Sequence, residues 1–311
     1  MEIVATFTVN GHIVTAKILP LENLPITQFN GQKILHPMEI VKKERIIIQK
    51  GKGNRTYEKR LTDVFYSSDF VSLEAEDAIR NPKLIGIKFD GSCGAVRYDP
   101  ETDTHTMYTR IDLKFSPHDK ILLCGKEYES VSDLPQALIP CENDPRNGDK
   151  YKNHGMLHWP FMIPIASSTA GGAVQILQLV EGINTATVYK WNIVAFENAV
   201  ASGKLSQVRR NITCEQMGKQ FNLKDKCDLM PKPALVPHNS MVLDIVPELC
   251  TFDGFCELLK TIPTIEGVVI YGNNGTIWKF RRDMIRIGEE QLDWPPKTAQ
   301  PTDWAQCSAL L

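Results

Sequence analysis

The sequence predicts an α+β protein in which antiparallel sheets are flanked by helices. Two segments are typical of β-hairpins, because β-rich runs flank Asn10-Gly11 and Asn273-Asn274-Gly275. Such turns favour residues that accept positive backbone φ angles. Residues 84–109 add successive β-rich runs separated by glycine- and proline-containing turns. The chain lacks the regular alternation of strands and helices that would build a parallel sheet.

The first part of the chain begins with a small β element. The first hairpin spans residues 3–18, and prolines punctuate the stretch that follows it. We therefore expect residues 1–40 to form a small N-terminal β extension and residues 41–311 to form the main domain. Within that domain, residues 72–80 are a short helix candidate, and the β-rich runs of residues 84–109 follow it directly.

The second part of the chain is expected to contain loops, one long helical region and a final hairpin. Residues 140–160 contain several prolines and are expected to be loop-like. Residues 174–204 show the best helical periodicity and end near a glycine, which commonly follows a helix. A strand is expected at residues 240–246 and a short helix at residues 252–260.

Charge is unevenly distributed along the chain. The 311 residues have a formal net charge of −2, so the whole molecule does not indicate a polyanion as its partner. The segment from Lys42 to Arg60 is strongly basic, however, with a local net charge of +6 from eight Lys or Arg and two Glu. This segment either grips phosphates or is the exposed face of a basic loop, and composition does not decide between the two.

The cysteines and the apolar runs indicate a soluble intracellular protein. The chain has eight cysteines and no C-x-x-C pair, so we expect no structural zinc site. No basic and apolar leader is visible at the start of the sequence. No apolar stretch reaches the ~20 residues that span a bilayer. We expect a cytoplasmic or nuclear protein with reduced thiols and no membrane partner.

The sharpest local pattern is Lys88-Phe89-Asp90-Gly91. A lysine within an apolar strand is unusual, because an ammonium group is costly to bury without partners. Strand alternation places Lys88 and Asp90 on one face, and Gly91 lets the chain turn away and leave that face open. A nucleophilic lysine must be neutral, and about one lysine in a thousand is neutral near pH 7.4 at an unperturbed pKa of about 10.4. A surface Lys–Asp pair is the alternative interpretation.

A second pattern brings an acidic residue close to two cations. Glu266 enters the final hairpin, and the returning strand carries Lys279 and Arg281 on one face. The hairpin should bring all three side chains together. They form either a structural salt-bridge cluster or a nucleotide site, in which the carboxylate holds a divalent metal and the cations hold phosphate.

Taken in order, these patterns resemble the motifs of the covalent nucleotidyltransferases, the superfamily of ATP-dependent RNA and DNA ligases and mRNA capping enzymes. Residues 88–91 (KFDG), 266–270 (EGVVI) and 278–281 (WKFR) resemble its motifs I, IV and V. Residues 214–218 (CEQMG) resemble motif III, and residues 108–112 (YTRID) resemble the segment that supplies a nucleotide-binding arginine. The resemblance covers roughly residues 84–282.

The resemblance implies a nucleotidyltransferase fold and a set of roles for single residues. Lys88 would be the nucleophile and Asp90 a second catalytic residue. Glu266 would be the ligand of Mg²⁺ or Mn²⁺. The other residues would bind ATP: Ile87 and Gly91 beside the nucleophile, Arg110 and Glu215 at the nucleoside, and Lys279 and Arg281 at the phosphates.

Among the members of this superfamily, the chain is most similar to the small single-domain RNA 5′-3′ ligases of animals and some viruses. The sequence continues for 29 residues after Arg282, so we expect no C-terminal OB-fold domain like that of DNA ligases and capping enzymes. The resemblance implies a monomeric ATP-dependent ligase that joins RNA 3′-hydroxyl and 5′-phosphate ends. The alternatives are a capping guanylyltransferase-like enzyme and a catalytically inactive RNA-binding protein. The sequence departs from the family at Cys93, where many relatives have an arginine; we expect Cys93 to have a packing role.

Overall fold

The computed structural model confirms an α+β architecture built mostly from antiparallel sheets. It describes the chain at positions 1–24, 34–50, 56–116, 119–141, 145–147, 157–169, 171–179, 189–218, 221, 230, 232–294 and 308–310. These residues form two large sheets, three small hairpins and three α-helices. No helix among them is long and apolar enough to cross a membrane.

The first large sheet has six strands and carries Lys88. Its order is β1-β2-β15-β5-β16-β17, and each pair of neighbours is antiparallel. The strands are β1 (Glu2–Val9), β2 (His12–Ile18), β5 (Pro82–Lys88), β15 (Met241–Asp244), β16 (Gly267–Gly272) and β17 (Ile277–Arg281). The N-terminal hairpin, β1–β2, therefore belongs to the same sheet as Lys88 and is joined to it through β15.

The second large sheet has seven strands and carries Arg110 and Glu215. Its order is β10-β11-β7-β6-β13-β14, and β12 also pairs with β11. The strands are β6 (Ser92–Asp99), β7 (Thr104–Phe115), β10 (Ile139–Pro140), β11 (Leu157–Ser168), β12 (Val174–Ile176), β13 (Ile212–Met217) and β14 (Ala234–Pro237). The chain passes from the first sheet to the second between Lys88 at the end of β5 and Ser92 at the start of β6.

Each large sheet packs its apolar side chains against helices. The first sheet contacts α1 (Leu73–Arg80) and α3 (Phe252–Thr261), and Phe255 and Phe280 are fully buried between them. Serine and threonine side chains cap the starts of these two helices. The second sheet contacts α2 (Lys190–Ala201).

The three small hairpins pair strands outside the two large sheets. They are β3–β4 (Met38–Lys50 and Thr56–Phe70), β8–β9 (Ile121–Leu123 and Lys126–Tyr128) and β18–β19 (Arg286–Ile287 and Glu290–Gln291). The first of them is by far the longest. It contains most of the basic segment, and the described part of that segment is a β-ribbon.

Several local predictions are confirmed, and others are wrong. Both turn-based hairpins and the two short helices are present. The long helix was predicted too early, because Val174–Ile176 is a strand beside β11 and the described helix begins at Lys190. The loop predicted over residues 140–160 is also too long, because residues 157–160 already belong to β11. Pro160 and Pro164 lie within that strand, and prolines had argued for a loop there.

Candidate active site around Lys88

The candidate site lies where the chain crosses between the two sheets. A methyl group on Gly91 would lie 2.5 Å from the Gln216 carbonyl oxygen and 2.9 Å from Glu215 Cγ. Only glycine therefore allows this crossing to lie against β13. The crossing that follows Lys88 thus packs directly against Glu215 and Gln216, and the expectation that Gly91 opens a face to a ligand stays a prediction.

The Lys88 ammonium group is paired with a buried carboxylate. Lys88 Nζ donates a hydrogen bond to Glu266 Oε2 and lies 3.4 Å from the Phe89 carbonyl oxygen. Glu266 is only 5% exposed, and its other oxygen lies 3.4 Å from Arg281 Nε. Arg281 in turn donates to the Asp283 carboxylate. The buried Glu266 carboxylate thus joins two of the predicted cations, Lys88 and Arg281.

The sheet register explains why these groups meet. Gly267 pairs with Lys88 on one side and with Arg281 on the other. A methyl group on Gly267 would lie 2.2 Å from the Phe280 carbonyl oxygen, so β17 can approach β16 this closely only at a glycine. Lys88 and Arg281 consequently flank a position without a side chain, and Glu266 precedes it.

Electrostatics favour the charged form of Lys88. Burial alone would lower the pKa of its ammonium group, but three carboxylates outweigh burial and raise the pKa above its usual value. Glu266 contributes most of this effect, followed by Glu215 and Asp90. The amine is therefore held as an ammonium ion, the form that cannot act as a nucleophile.

Asp90 and a tryptophan border the cleft beside Lys88. Trp294 Nε1 donates a hydrogen bond to Asp90 Oδ2 at 2.9 Å. Trp294 also lines the cleft, together with Phe89, Met217, Thr264, Ile265 and Glu266. The Ile87 side chain lies on the opposite face of β5 from Lys88 and is buried in the core of the first sheet. Only the main chain of Ile87 can face the cleft.

The strand that carries Lys279 and Arg281 is held at its edge. The Arg281 N–H donates to the Tyr66 hydroxyl at 3.0 Å, and that hydroxyl lies 3.4 Å from the Lys279 carbonyl oxygen. The Lys279 N–H donates to the Leu35 carbonyl at 2.9 Å. Lys279 pairs with Val269, so its side chain shares the sheet face of Lys88 and Arg281. These contacts fix the backbone from which both predicted phosphate-binding cations project.

The second sheet presents a row of polar side chains to the same junction. Glu215 on β13 pairs with Cys93 on β6, and Arg110 on β7 is close enough to lower the pKa of the Cys93 thiol. Burial and Glu215 have the opposite effect and dominate, raising the pKa of Cys93 to about 12. The thiol is therefore protonated and lies as a neutral group between Glu215 and Arg110.

Glu215 is oriented by His238. His238 Nε2 lies 2.9 Å from Glu215 Oε2, and its Nδ1 lies 2.9 Å from the Thr213 hydroxyl. A carboxylate can only accept a hydrogen bond, so Nε2 is the donor. The His238 N–H also donates to the Thr213 carbonyl. The ring is therefore fixed at two points and holds the carboxylate in one orientation.

Arg110 has an unused donor. Its Nε is buried and has no hydrogen-bond partner among the described residues. One of its terminal nitrogens lies 3.7 Å from Asp112. A buried donor without a partner is costly. This atom is therefore one that a bound molecule could satisfy.

The strand behind Glu215 is anchored by buried amides. Gln216 is fully buried, and its Nε2 donates to the Cys93 carbonyl at 3.2 Å and to the Thr109 hydroxyl at 3.1 Å. Asn192 on α2 donates to both Gln216 and Thr109. This network ties α2, β6, β7 and β13 together and fixes the positions of Glu215 and Arg110.

The acidic groups fit a divalent cation that is shared with a substrate. Within the described part of the chain, no three His, Cys, Asp or Glu side chains are arranged to hold a metal by themselves. Mg²⁺ often binds one or two carboxylates and completes its shell with water and substrate phosphates. Glu266, with the Asp90 charge nearby, could supply carboxylate oxygens to such a site.

The structure brings most of the predicted residues together and adds three that the sequence analysis missed. Lys88, Asp90, Glu215, Glu266 and Arg281 converge on the junction. Arg110 lies on β7, on the far side of Cys93 from Glu215, and Lys279 lies two residue pairs from Arg281 along the first sheet. The residues missed are Tyr66, His238 and Trp294. Each acts on a partner that is distant in sequence, and only His238, which directly follows a buried strand, had a local signal.

Comparisons with known proteins do not assign the chain to a family. No model of a protein family matches it, and no curated protein has a matching sequence.

Proposed function

We propose that this chain is an ATP-dependent RNA ligase that works through a covalent AMP adduct on Lys88. One observation carries the proposal: a lysine amine between two sheets meets the Glu266 carboxylate, with Glu215 and Asp90 nearby and Arg281 behind Glu266. These groups come from segments far apart in sequence, in the order found in covalent nucleotidyltransferases. The choice of RNA over DNA rests on the resemblance to the small RNA ligases.

In the first step, the Lys88 amine attacks the α-phosphorus of ATP. An N–P bond forms, the bond between the α-phosphorus and the bridging oxygen breaks, and pyrophosphate leaves with the electron pair. The ammonium group loses one proton before the attack and a second as the phosphoramidate forms, and both reach solvent. Because the resting ion pair opposes the first of these losses, Glu266 must exchange its partner before Lys88 reacts.

The neighbouring residues have separate tasks in this step. Arg281 and Lys279 lie on the face of Lys88 and can neutralise phosphate charge, which is the main requirement of phosphoryl transfer. Arg110 and Glu215 can hold the nucleoside from the second sheet. A divalent cation at Glu266 would supply further charge neutralisation at the α-phosphate.

Two further phosphoryl transfers complete the reaction. An oxygen of the RNA 5′-phosphate attacks the adduct phosphorus, the N–P bond breaks, and the Lys88 amine regains its protons. The RNA 3′-oxygen then attacks the 5′-phosphorus, AMP leaves with the electron pair of the broken P–O bond, and the 3′-hydroxyl proton goes to solvent. In both transfers the protein contributes positioning and fixed positive charge.

Intact mass spectrometry tests the first step directly. After incubation with ATP and Mg²⁺, the protein should gain about 329 Da, one AMP, because the phosphoramidate is covalent. The adduct should map to Lys88. The Lys88→Arg variant is the matched control: it keeps a cation for Glu266 and should fold, but it should gain no mass.

Other outcomes would contradict the proposal in different ways. An adduct on another lysine, or none with any divalent cation, would exclude Lys88 as the nucleophile. An adduct with GTP but not with ATP would favour a capping guanylyltransferase. Purified adenylated protein should then seal a nicked RNA hairpin with 3′-hydroxyl and 5′-phosphate ends. Failure of this second assay alone would leave an adenylating enzyme with a different acceptor.

A further inference from the structure

The longest hairpin among the described residues pairs with neither of the two large sheets. We call it the ribbon arm, defined as β3 and β4 (Met38–Lys50 and Thr56–Phe70). The two strands pair with each other from Met38–Phe70 at the base to Lys50–Thr56 near the turn. In the sheet topology, β3 and β4 pair only with each other among the described residues.

The base of the ribbon arm is packed, whereas its outer half is exposed on both faces. At the base, Tyr66 packs on Phe280 with ring centroids 4.8 Å apart, and Gln291 donates to the Val64 carbonyl at 2.9 Å. Farther out, Ile46 and Ile48 are 59% and 75% exposed. Two paired strands are marginal on their own. A long solvated ribbon with exposed isoleucines therefore indicates a surface that binds a partner.

Charge indicates which partner this is. Residues 42–60 carry a net charge of +6, whereas the whole chain carries −2, so the other residues together carry −8. The ribbon arm as a whole has six Lys or Arg against five Asp or Glu, because Glu39, Asp63 and Asp69 lie toward its base, where Asp63 pairs with Arg45. A polyanion would therefore be attracted to the outer part of the arm within residues 42–60. Of its basic side chains, Lys42, Lys43, Arg45, Lys59 and Arg60 are described, and all five are exposed. The side chain of Lys50 and residues 51–55, which include Lys52 and Arg55, lie outside the described part.

The ribbon arm is attached to the strand that carries the active-site cations. Tyr66 belongs to β4, and its hydroxyl accepts the Arg281 N–H and lies near the Lys279 carbonyl oxygen. The Arg286 guanidinium lies 4.9 Å from the centre of the Phe65 ring. A polyanion bound along the arm would therefore lead toward the strand that we assign to substrate phosphates.

We propose that the ribbon arm is an RNA-binding arm that grips the phosphate backbone away from the ends to be joined. This inference rests on the proposed function for its substrate class, but it assigns binding to a separate surface. Because phosphates carry no base identity, the grip would not depend on sequence. The exposed isoleucines would pack against sugar and base surfaces. The outer half of the arm has no part in the first step, which involves ATP and not RNA; only the base of the arm, through Tyr66, contacts the strand of Arg281.

A charge-matched pair of variants tests the proposal. The arm variant replaces Lys42, Lys43 and Lys59 with glutamine; the control replaces Lys83, Lys126 and Lys260, three exposed lysines elsewhere. Both lose three positive charges. Intact mass with ATP measures the first step, and anisotropy of a labelled nicked RNA hairpin measures binding between 50 and 300 mM salt, concentrations chosen to span the screening range.

We expect the arm variant to form the AMP adduct as fast as the wild type but to bind and seal RNA less well. Each lost phosphate contact should reduce the slope of log affinity against log salt by about 0.7–0.9, so the loss for three is about 2–3. The control should keep the wild-type slope. Equal slopes in both variants would overturn the proposal. So would a wild-type dimer, seen by sedimentation, that Ile46→Ser and Ile48→Ser dissociate, because a second copy would then cover the arm.

The proposed ligase function and the proposed RNA-binding role of the arm can be refuted separately. A wild-type protein that binds RNA through the arm but never forms an AMP adduct would refute the ligase and keep the arm. A protein that forms the adduct but binds RNA equally well in the arm variant would keep the ligase and refute the arm.

Discussion

The two sheets contribute unlike halves to the candidate site. On the first sheet, Lys88, Glu266, Arg281 and Asp283 form a chain of ion pairs in which the charges offset one another, although Arg281 Nε and Asp283 Oδ1 are buried without a hydrogen-bond partner among the described residues. On the second sheet, His238 fixes Glu215, and Arg110 keeps a buried donor without a described partner. In the first half, the ion pair between Lys88 and Glu266 must be broken before Lys88 can react as we propose. The second half is already arranged to receive a ligand.

This difference predicts that the first half must reorganise when a ligand binds, whereas the second half need not. Groups that are fixed by their neighbours cost little to reorganise when a ligand arrives. An ion pair must be broken, and a buried charge left alone is costly. A ligand with opposite charges at its two ends would suit this arrangement: its cation would take Glu266 and its phosphates would take Arg281. A nucleotide with a bound divalent metal has that character.

The largest effect should come from replacing Glu266 with glutamine. Glu266 holds Lys88 at rest and is our candidate metal ligand, so the rate of adduct formation should fall by about 10²–10³-fold. The remaining activity should also show a changed pH profile. Glu266 raises the pKa of Lys88, so its removal lowers that pKa, and the alkaline rise in rate should begin at a lower pH than in the wild type.

Asp283→Asn is the control for this prediction. Asp283 lies in the same charged cluster but contacts Arg281 and not Lys88. Its replacement should therefore leave the pH profile of adduct formation in place. Single-turnover rates between pH 6 and 10 measure both variants. If Glu266→Gln forms the adduct at the wild-type rate, the first half of the site is only a structural salt-bridge cluster.

A smaller effect is expected where the site is already arranged. His238→Ala removes the donor that orients Glu215, and a hydrogen bond to a charged group contributes about 1.5–3 kcal/mol. If Glu215 binds the ribose, the preference for ATP over its 2′-deoxy and 3′-deoxy analogues should fall by about tenfold or more. The Lys88 pH profile should move less than in Glu266→Gln, because Glu215 keeps its charge and Glu266 has the larger effect on the pKa of Lys88.

The preference for ATP over each deoxy analogue can be measured in a competition experiment, as the ratio of the two adducts formed when both nucleotides are present. Separate rate constants are then not needed. His238→Gln retains an amide donor and should recover part of the lost preference. A uniform loss of rate with unchanged preference would mean that His238 supports the fold and does not position Glu215 for a ribose.

The sequence predicted the α+β fold class and several of its elements, but not the whole course of the chain. The motifs predicted that Lys88, Glu215, Glu266 and Arg281 lie together, and the structure places them at one junction; their roles stay predictions. The central strand β11 was missed because its prolines argue for a loop, although Phe161 and Ile163 are fully buried within it. Trp294 could not have been found, because its contact with Asp90 spans 204 positions and depends entirely on tertiary structure.

The smallest effect on activity should come from Cys93, which lies between the charged residues of the second half. Burial and Glu215 raise the pKa of its thiol to about 12, so almost no thiolate exists near pH 8 and alkylation of the native protein should be slow. Cys93→Ser should change the rate of adduct formation by less than about twofold, because its side chain separates Glu215 from Arg110 without a charge of its own.

Glu215→Gln removes the anion that opposes the thiolate, so alkylation of Cys93 should become faster. Peptide mapping after timed iodoacetamide treatment measures this, with the denatured protein as the reference. Rapid alkylation of native wild-type Cys93 would show that the second half contains a reactive thiolate, and its contrast with the charged first half would then disappear.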